Sequence, residues 1–99
     1  MLSKKFFKTK PETEVVFEFS RDDVTSAKLA GDFNDWTPEA MKFDKKSGSY
    51  KLKMRLPTDA EFQFKYLLND AEWENDYAAD AYIPNDQGTE NSVISTKAA

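Results

Sequence analysis

Apolar and polar residues alternate with a period of two along most of this chain, in short runs separated by turn formers. Val15, Phe17 and Phe19 fall on one face and Val16, Glu18 and Ser20 on the other, which predicts a first strand from residue 14. Arg21-Asp22-Asp23 reads as a turn and residues 25–30 as a second strand. The clearest hairpin follows. Met41 and Phe43 alternate with Lys42 and Asp44, Lys45-Lys46-Ser47-Gly48 supplies the turn, and Tyr50, Leu52, Met54 and Leu56 alternate with Lys51, Lys53 and Arg55. The Lys/Arg side of this hairpin reads as a solvated face. After a turn at residues 57–60, Phe62, Phe64, Tyr66 and Leu68 mark another strand, whose other face carries Glu61, Gln63, Lys65, Leu67 and Asn69.

Asn69-Asp70-Ala71 turns the chain into a short returning segment, Glu72-Trp73-Glu74. Residues 75–88 show no period and read as a packed loop, because Tyr77, Tyr82 and Ile83 lie within them. Residues 91–95 make a last strand, and residues 96–99 read as a frayed tail. No helical period of useful length interrupts this pattern, so six to eight short strands predict an all-β fold, an antiparallel β-sandwich of immunoglobulin-like type. Residues 1–12, rich in lysine and containing Pro11, are expected to form a basic N-terminal arm without regular structure, and residues 13–96 a single domain.

Composition narrows the chemistry. The chain has no cysteine and no histidine, which removes disulfides, thiolate zinc sites, the Ser-His and Cys-His nucleophile pairs and the commonest metal ligand. Its 8 Phe, 4 Tyr and 2 Trp suit a compact β protein. The net charge of −4 is unevenly spread. Lys4, Lys5, Lys8 and Lys10 open the chain without an acid, whereas residues 59–90 hold nine acids against the single base Lys65. An acidic second half repels phosphate backbones, so nucleic acid is not an expected partner. The first residues lack the apolar run of a secretory signal, no stretch approaches a membrane span, and four lysines with two phenylalanines are a short footprint for a membrane surface. A cytoplasmic protein without membrane partners is expected.

Two tryptophans draw attention because both sit beside turns. Trp36 closes a segment of turn formers, Gly31-Asp-Phe-Asn-Asp-Trp-Thr-Pro38, and Trp73 stands just past the turn at residues 69–71 between two acids. Phe33, in contrast, reads as a core plug. With Lys65 on the outer face of its strand and a Gly-Thr-Glu-Asn run entering the last strand, the two rings form a set able to meet on one surface. Such a set suits sugar recognition, in which the C–H face of a pyranose packs on an aromatic ring while Lys, Asn and Thr groups bond its hydroxyls. The bland reading pairs Lys65 with Glu61 or Glu72 at the surface.

Leu29-Ala-Gly-Asp-Phe-Asn-Asp-Trp36, Phe62-Gln-Phe-Lys-Tyr66, Asn69-Asp-Ala-Glu-Trp73 and Gly88-Thr-Glu-Asn91 resemble carbohydrate-binding module family 48. This family comprises the early-set domains at the front of isoamylases and glycogen branching enzymes, together with the glycogen-binding domain of the AMP-activated protein kinase β subunit. The likeness covers residues 13–95. It implies an early-set immunoglobulin-like sandwich that binds α-1,4-linked glucans such as glycogen, starch and malto-oligosaccharides without cleaving them, and without a cofactor. By position it implies sugar-binding roles for Trp36, Lys65, Trp73, Thr89 and Asn91. Gln87 stands where the family carries a leucine that threads helical or cyclic glucans.

Other classes remain open at this point. A glycosidase needs two carboxylates across a cleft, and Asp70, Glu72, Glu74 and Asp76 lie on a short surface segment, so no catalytic residue is assigned. The acids of residues 75–86 lack the spacing of a dedicated calcium loop, so no metal site is assigned. The serious alternative is a docking module without sugar binding, associated with a glucan-metabolising enzyme and marked by an apolar patch or an open sheet edge.

Overall fold

The alternation seen in the sequence places side chains on two sheets that face each other. The computed structural model describes residues 2–97. Strand β2 (Glu12–Phe19) buries every second residue, Thr13, Val15, Phe17 and Phe19. It lies between β1 (Leu2–Phe6) and β6 (Ser49–Pro57), and β6 also pairs with β5 (Lys42–Asp44), giving a four-stranded sheet in the order β1-β2-β6-β5. The second sheet runs β4 (Glu39–Ala40), β3 (Ala27–Gly31), β7 (Glu61–Leu68), β10 (Glu90–Ser95) and β9 (Ala81–Pro84), with β8 (Glu72–Glu74) paired to β7. Every pairing is antiparallel. The two sheets reproduce the immunoglobulin order, in which the first, second, fifth and fourth conserved strands share one sheet and the third, sixth and seventh the other.

Aromatic rings from both sheets fill the space between them. Phe17 of β2 meets Phe64 of β7 edge-on at 5.1 Å, and Phe19 meets Tyr66 at 4.9 Å. Phe33 packs on Phe17 at 5.4 Å, so it is the core plug the sequence predicts. The fully buried Tyr66 donates its hydroxyl proton to Asp76 Oδ2 at 2.7 Å, and burial beside that carboxylate pushes the phenol far above its ordinary range.

Four expectations are corrected. Residues 2–6 are not an irregular arm: β1 pairs with β2 from Leu2↔Phe17 to Phe6↔Thr13. An edge strand needs only backbone partners, and its lysines guard the open side. Lys4 reaches Asp80 at 2.6 Å, which ties β1 to the far sheet. The predicted loop at 75–88 contains β9, held to β10 by four residue pairs. Thr96, expected to fray, is fully buried, accepting from Ala60 N at 3.0 Å and donating to Pro57 O at 2.6 Å through its hydroxyl. Of the predicted tail, residues 98 and 99 lie outside the described residues, as does Met1. Finally, ten strand segments occur among the described residues where six to eight are predicted, the excess being short pieces such as β4. The run around Met41 is divided between sheets, because Met41 N bonds Ala27 O beside β3 while Lys42 already pairs with Lys51 of β6.

Candidate functional site

Strand register decides which side chains share the outer face of the larger sheet. Phe64, Tyr66 and Leu68 of β7 point into the core, so Gln63, Lys65 and Leu67 point out. Trp73 pairs with Leu67 and Ala30 with Lys65, which puts Trp73 on the same outer face. Ser92 pairs with Phe64 on the inner face, so the neighbouring Asn91 faces outward with Lys65.

The segment carrying Trp36 is a wound turn in which each residue has a part. Gly31 passes so close to β7 that a Cβ there would lie 2.5 Å from Gln63 O. Residues Asp32–Asn34 make a 3-10 turn. Asn34 accepts from Gly31 N at 2.9 Å and donates to Leu29 O at 3.2 Å, so the turn is closed by its own side chain. Asp35 and Trp36 both take the left-handed backbone conformation, with φ of 54° and 58°. Trp36 is thereby raised from the sheet, and its indole Nε1 donates to Asp32 Oδ1 at 3.0 Å. The other oxygen of Asp32 accepts from Gln63 N at 2.8 Å, so one carboxylate fixes both the ring and its distance from β7. A non-glycine residue held at positive φ carries a strain of about 1 kcal/mol or more, which the surrounding bonds must offset.

Trp73 is oriented from behind. Arg21, at the end of β2, bonds Glu72 Oε1 at 2.9 Å and lies 3.5 Å from Glu74 Oε2, gripping both neighbours of Trp73. Its bond to Asp23 completes the cluster. The guanidinium holds the pKa values of Glu72 and Asp23 below the ordinary carboxylate range, chiefly through these hydrogen bonds, and its own pKa rises. With its flanking carboxylates drawn to Arg21, Trp73 is left 47% exposed.

All six residues singled out in the sequence, Trp36, Lys65, Trp73, Gln87, Thr89 and Asn91, line one cleft of about 570 Å³. Two further lining residues, Asn85 and Asp86, escape sequence reasoning. Asn85 is the centre of the polar wall. Its Nδ2 donates to Thr89 Oγ1 at 2.8 Å and to Asn91 Oδ1 at 2.9 Å, while its Oδ1 accepts from Gln87 N at 3.0 Å and Thr89 N at 3.2 Å. The only signal for it is its place in Pro84-Asn-Asp-Gln-Gly88, a turn-forming run. Lys65 Nζ donates to Thr89 Oγ1 at 3.3 Å, and Asn91 Nδ2 to Gln63 Oε1 at 3.1 Å. Lys65 therefore pairs with neither Glu61 nor Glu72, which bond Lys97 and Arg21 instead.

These bonds set what the cleft offers a ligand. Thr89 Oγ1 accepts from both Asn85 and Lys65, which turns its own proton outward. Lys65 keeps two of its three N–H groups and Asn91 one, and Asp86 supplies acceptor oxygens. One cation and one carboxylate leave the cleft close to neutral, between two aromatic rings. Among the described residues, no group of three or more His, Cys, Asp or Glu is placed to hold a metal ion, and no helix is long and apolar enough to cross a membrane. No protein-family model matches this chain, and no curated protein matches it significantly.

Proposed function

We propose that this chain is a non-catalytic binding domain for α-1,4-linked glucans, of the kind that carbohydrate-binding module family 48 represents. The observation that carries the reading is convergence: six positions, drawn from four separate motifs, line the same cleft. Trp36 and Trp73 stack on glucose units, Lys65 and Asn91 donate to hydroxyl oxygens, Thr89 supports the wall, and Gln87 offers a polar contact in place of an apolar thread. Near-neutrality favours an uncharged ligand, and rings beside a few fixed polar groups suit a polyol with apolar C–H faces. The preference for α-1,4 linkage rests on the family resemblance. A cytoplasmic setting belongs to the same reading, since a chain without cysteine needs no oxidising compartment. An open cleft of this kind binds weakly, with Kd of about 1 μM to 1 mM, or roughly −8 to −4 kcal/mol.

The test is a titration of intrinsic Trp fluorescence with maltoheptaose, with cellohexaose as control. Both tryptophans line the cleft, so a saturable change with the α-glucan alone is expected. No change with either sugar overturns the reading. One observation favours a second reading, docking onto a glucan-metabolising enzyme: β9 is an open edge of the larger sheet, exposed along its length and carrying Tyr82 and Ile83. Loss of binding to such an enzyme on Ile83→Lys, with the fluorescence titration flat, would support it.

A further inference from the structure

Charge is divided between the two sheets. The stretches that build the smaller sheet, residues 1–19 and 42–57, carry ten cations against four acids, whereas the rest of the chain carries four cations against fourteen acids. Two basic stretches far apart in sequence are thus brought onto one sheet by the order β1-β2-β6-β5. Register turns their side chains outward. Val15 and Phe17 of β2 are buried opposite Met54 and Leu52, so Lys51, Lys53 and Arg55 of β6 project from the outer face. Lys42 of β5 lies opposite Lys51, and Lys5 of β1 opposite the outward Glu14.

Positive charge is in excess on this face. Arg55, Lys53 and Lys51 reach Glu12, Glu14 and Asp44 at 3.7, 4.0 and 3.1 Å, exposed pairs that contribute little and leave each cation further donors. Lys5 and Lys42 make no ion pair among the described residues. Lys42 and Lys51 are like charges directly across a ladder, which works against the sheet that holds them. At the other end of β6, Lys5, Lys10 and Arg55 gather round the Phe7 ring, at 5.6, 5.9 and 4.9 Å from its centroid. Folding has no need of either arrangement, and an anion relieves both.

The acids of the face form one row on β2, Glu12, Glu14 and Glu18, beside the β6 row. A flat anionic surface would press on both rows, whereas a narrow ligand laid along β6 meets cations alone. Lys51, Lys53 and Arg55 recur about every 6.8 Å, the spacing of alternate side chains on an extended peptide. We propose that the outer face of the smaller sheet docks an extended acidic segment of a partner protein. Asp or Glu at alternate positions of that segment sit on Lys51, Lys53 and Arg55, with Lys42 beside the first. This chain's own alternating run, Asp70-Ala-Glu-Trp-Glu-Asn-Asp76, does not supply the segment from a second copy, because Arg21 holds Glu72 and Glu74 and Asp76 is buried. The Trp36–Trp73 cleft opens from the outer face of the other sheet, so docking leaves it free and stands apart from the glucan-binding reading.

The experiment follows the fluorescence anisotropy of a labelled peptide of alternating Glu and Thr, titrated with the native chain, Lys53→Glu and Lys97→Glu. Native protein is expected to bind saturably, and at least about tenfold more weakly when NaCl is raised from about 50 to about 500 mM. Lys53→Glu should weaken binding at least about fivefold. Lys97→Glu makes the same charge change beside Glu61 of the other sheet and should stay within about twofold. Equal loss in both variants overturns the proposal, because attraction then follows net charge and not this face. So does absence of binding at low salt, or tighter binding to anionic vesicles or to a single-stranded oligonucleotide of the same charge. Self-association in sedimentation equilibrium that Lys53→Glu abolishes also overturns it, since the occupant is then a second copy. As a second measurement needing no variant, the peptide should shift the backbone amide resonances of Lys42, Lys51, Lys53 and Arg55, and shifts confined to the larger sheet refute the docking face.

Discussion

On the glucan-binding reading, replacing Trp73 by alanine removes a ring that serves the ligand and adds little to the core, and the size of the effect follows from its exposure. A Trp side chain presents about 250 Å² at most, so a ring 47% exposed has roughly 120 Å² left to cover. A pyranose stacked on one face covers about half of that, near 60 Å², or about 1.5 kcal/mol at 25 cal/mol per Å². Kd for maltoheptaose should therefore rise about tenfold, and at most about 150-fold if the whole exposed area is used. The fold should barely respond. Arg21 still holds Glu72 and Glu74, so β8 keeps its place on β7, and the unfolding free energy should change by less than about 1 kcal/mol. Calorimetry gives the first quantity and urea unfolding the second. A change in Kd below about twofold, or a loss of stability above about 3 kcal/mol, refutes the reasoning, since the ring would then be either outside the site or part of the core.

Other changes probe the scaffold. Gly31→Ala drives a methyl group to 2.5 Å from Gln63 O and 2.9 Å from Phe64 Cβ, and should cost about 2 kcal/mol or more, seen as a fall in Tm of roughly 10 °C. Tyr66→Phe removes a buried donor to Asp76 and should cost about 1.5–3 kcal/mol in urea unfolding, with the cleft's affinity unchanged. Asn85→Ala should leave stability nearly intact while weakening maltoheptaose binding about tenfold, because three cleft residues lose their common anchor. Glu72 and Asp23 have folded pKa values below their ordinary 4.5 and 3.8, so the stability they contribute is present above those values and lost as pH falls through the lower folded ones. Arg21→Met should accordingly be less stable than the native chain at about pH 7, and the gap between their urea midpoints should narrow toward about pH 3.

Period-two alternation was enough to locate β2, β6 and β7, because each sets its apolar residues on one face. It could not locate β1. Leu2-Ser-Lys-Lys-Phe6 buries little, and what holds it is a backbone ladder to β2 and an ion pair to a residue 76 positions away. β9 is hidden for a related reason, since all four of its residues are exposed and it is a strand only through its bonds to β10. The site divides in the same way. Trp36, Lys65 and Trp73 stand out as chemistry on turns and on an outer face, whereas Asn85 looks like any turn residue until its four bonds are seen. Asp32 likewise reads as a turn former, although it sets the position of the Trp36 ring.

On the glucan-binding reading, selectivity comes from the rigidity of the cleft more than from the number of groups it presents. Ordering one flexible side chain on binding costs about 0.5–1.5 kcal/mol, comparable with what a single stacked sugar returns, so an open site of loose side chains would hold nothing. Here the ordering has been done by folding. Asp32 anchors one ring to β7, Arg21 sets the strand bearing the other, and Asn85 ties Gln87, Thr89 and Asn91 into one wall. Lys65 is held by one bond of 3.3 Å to Thr89 and keeps two donors to spare. Lys65→Met keeps the stem and removes the donors. It should weaken binding about tenfold, as expected for hydrogen bonds from a charged donor, and leave Tm within about 2 °C. Equal affinity in the two proteins would mean that the rings alone bind the sugar and that the polar wall only shapes the cleft.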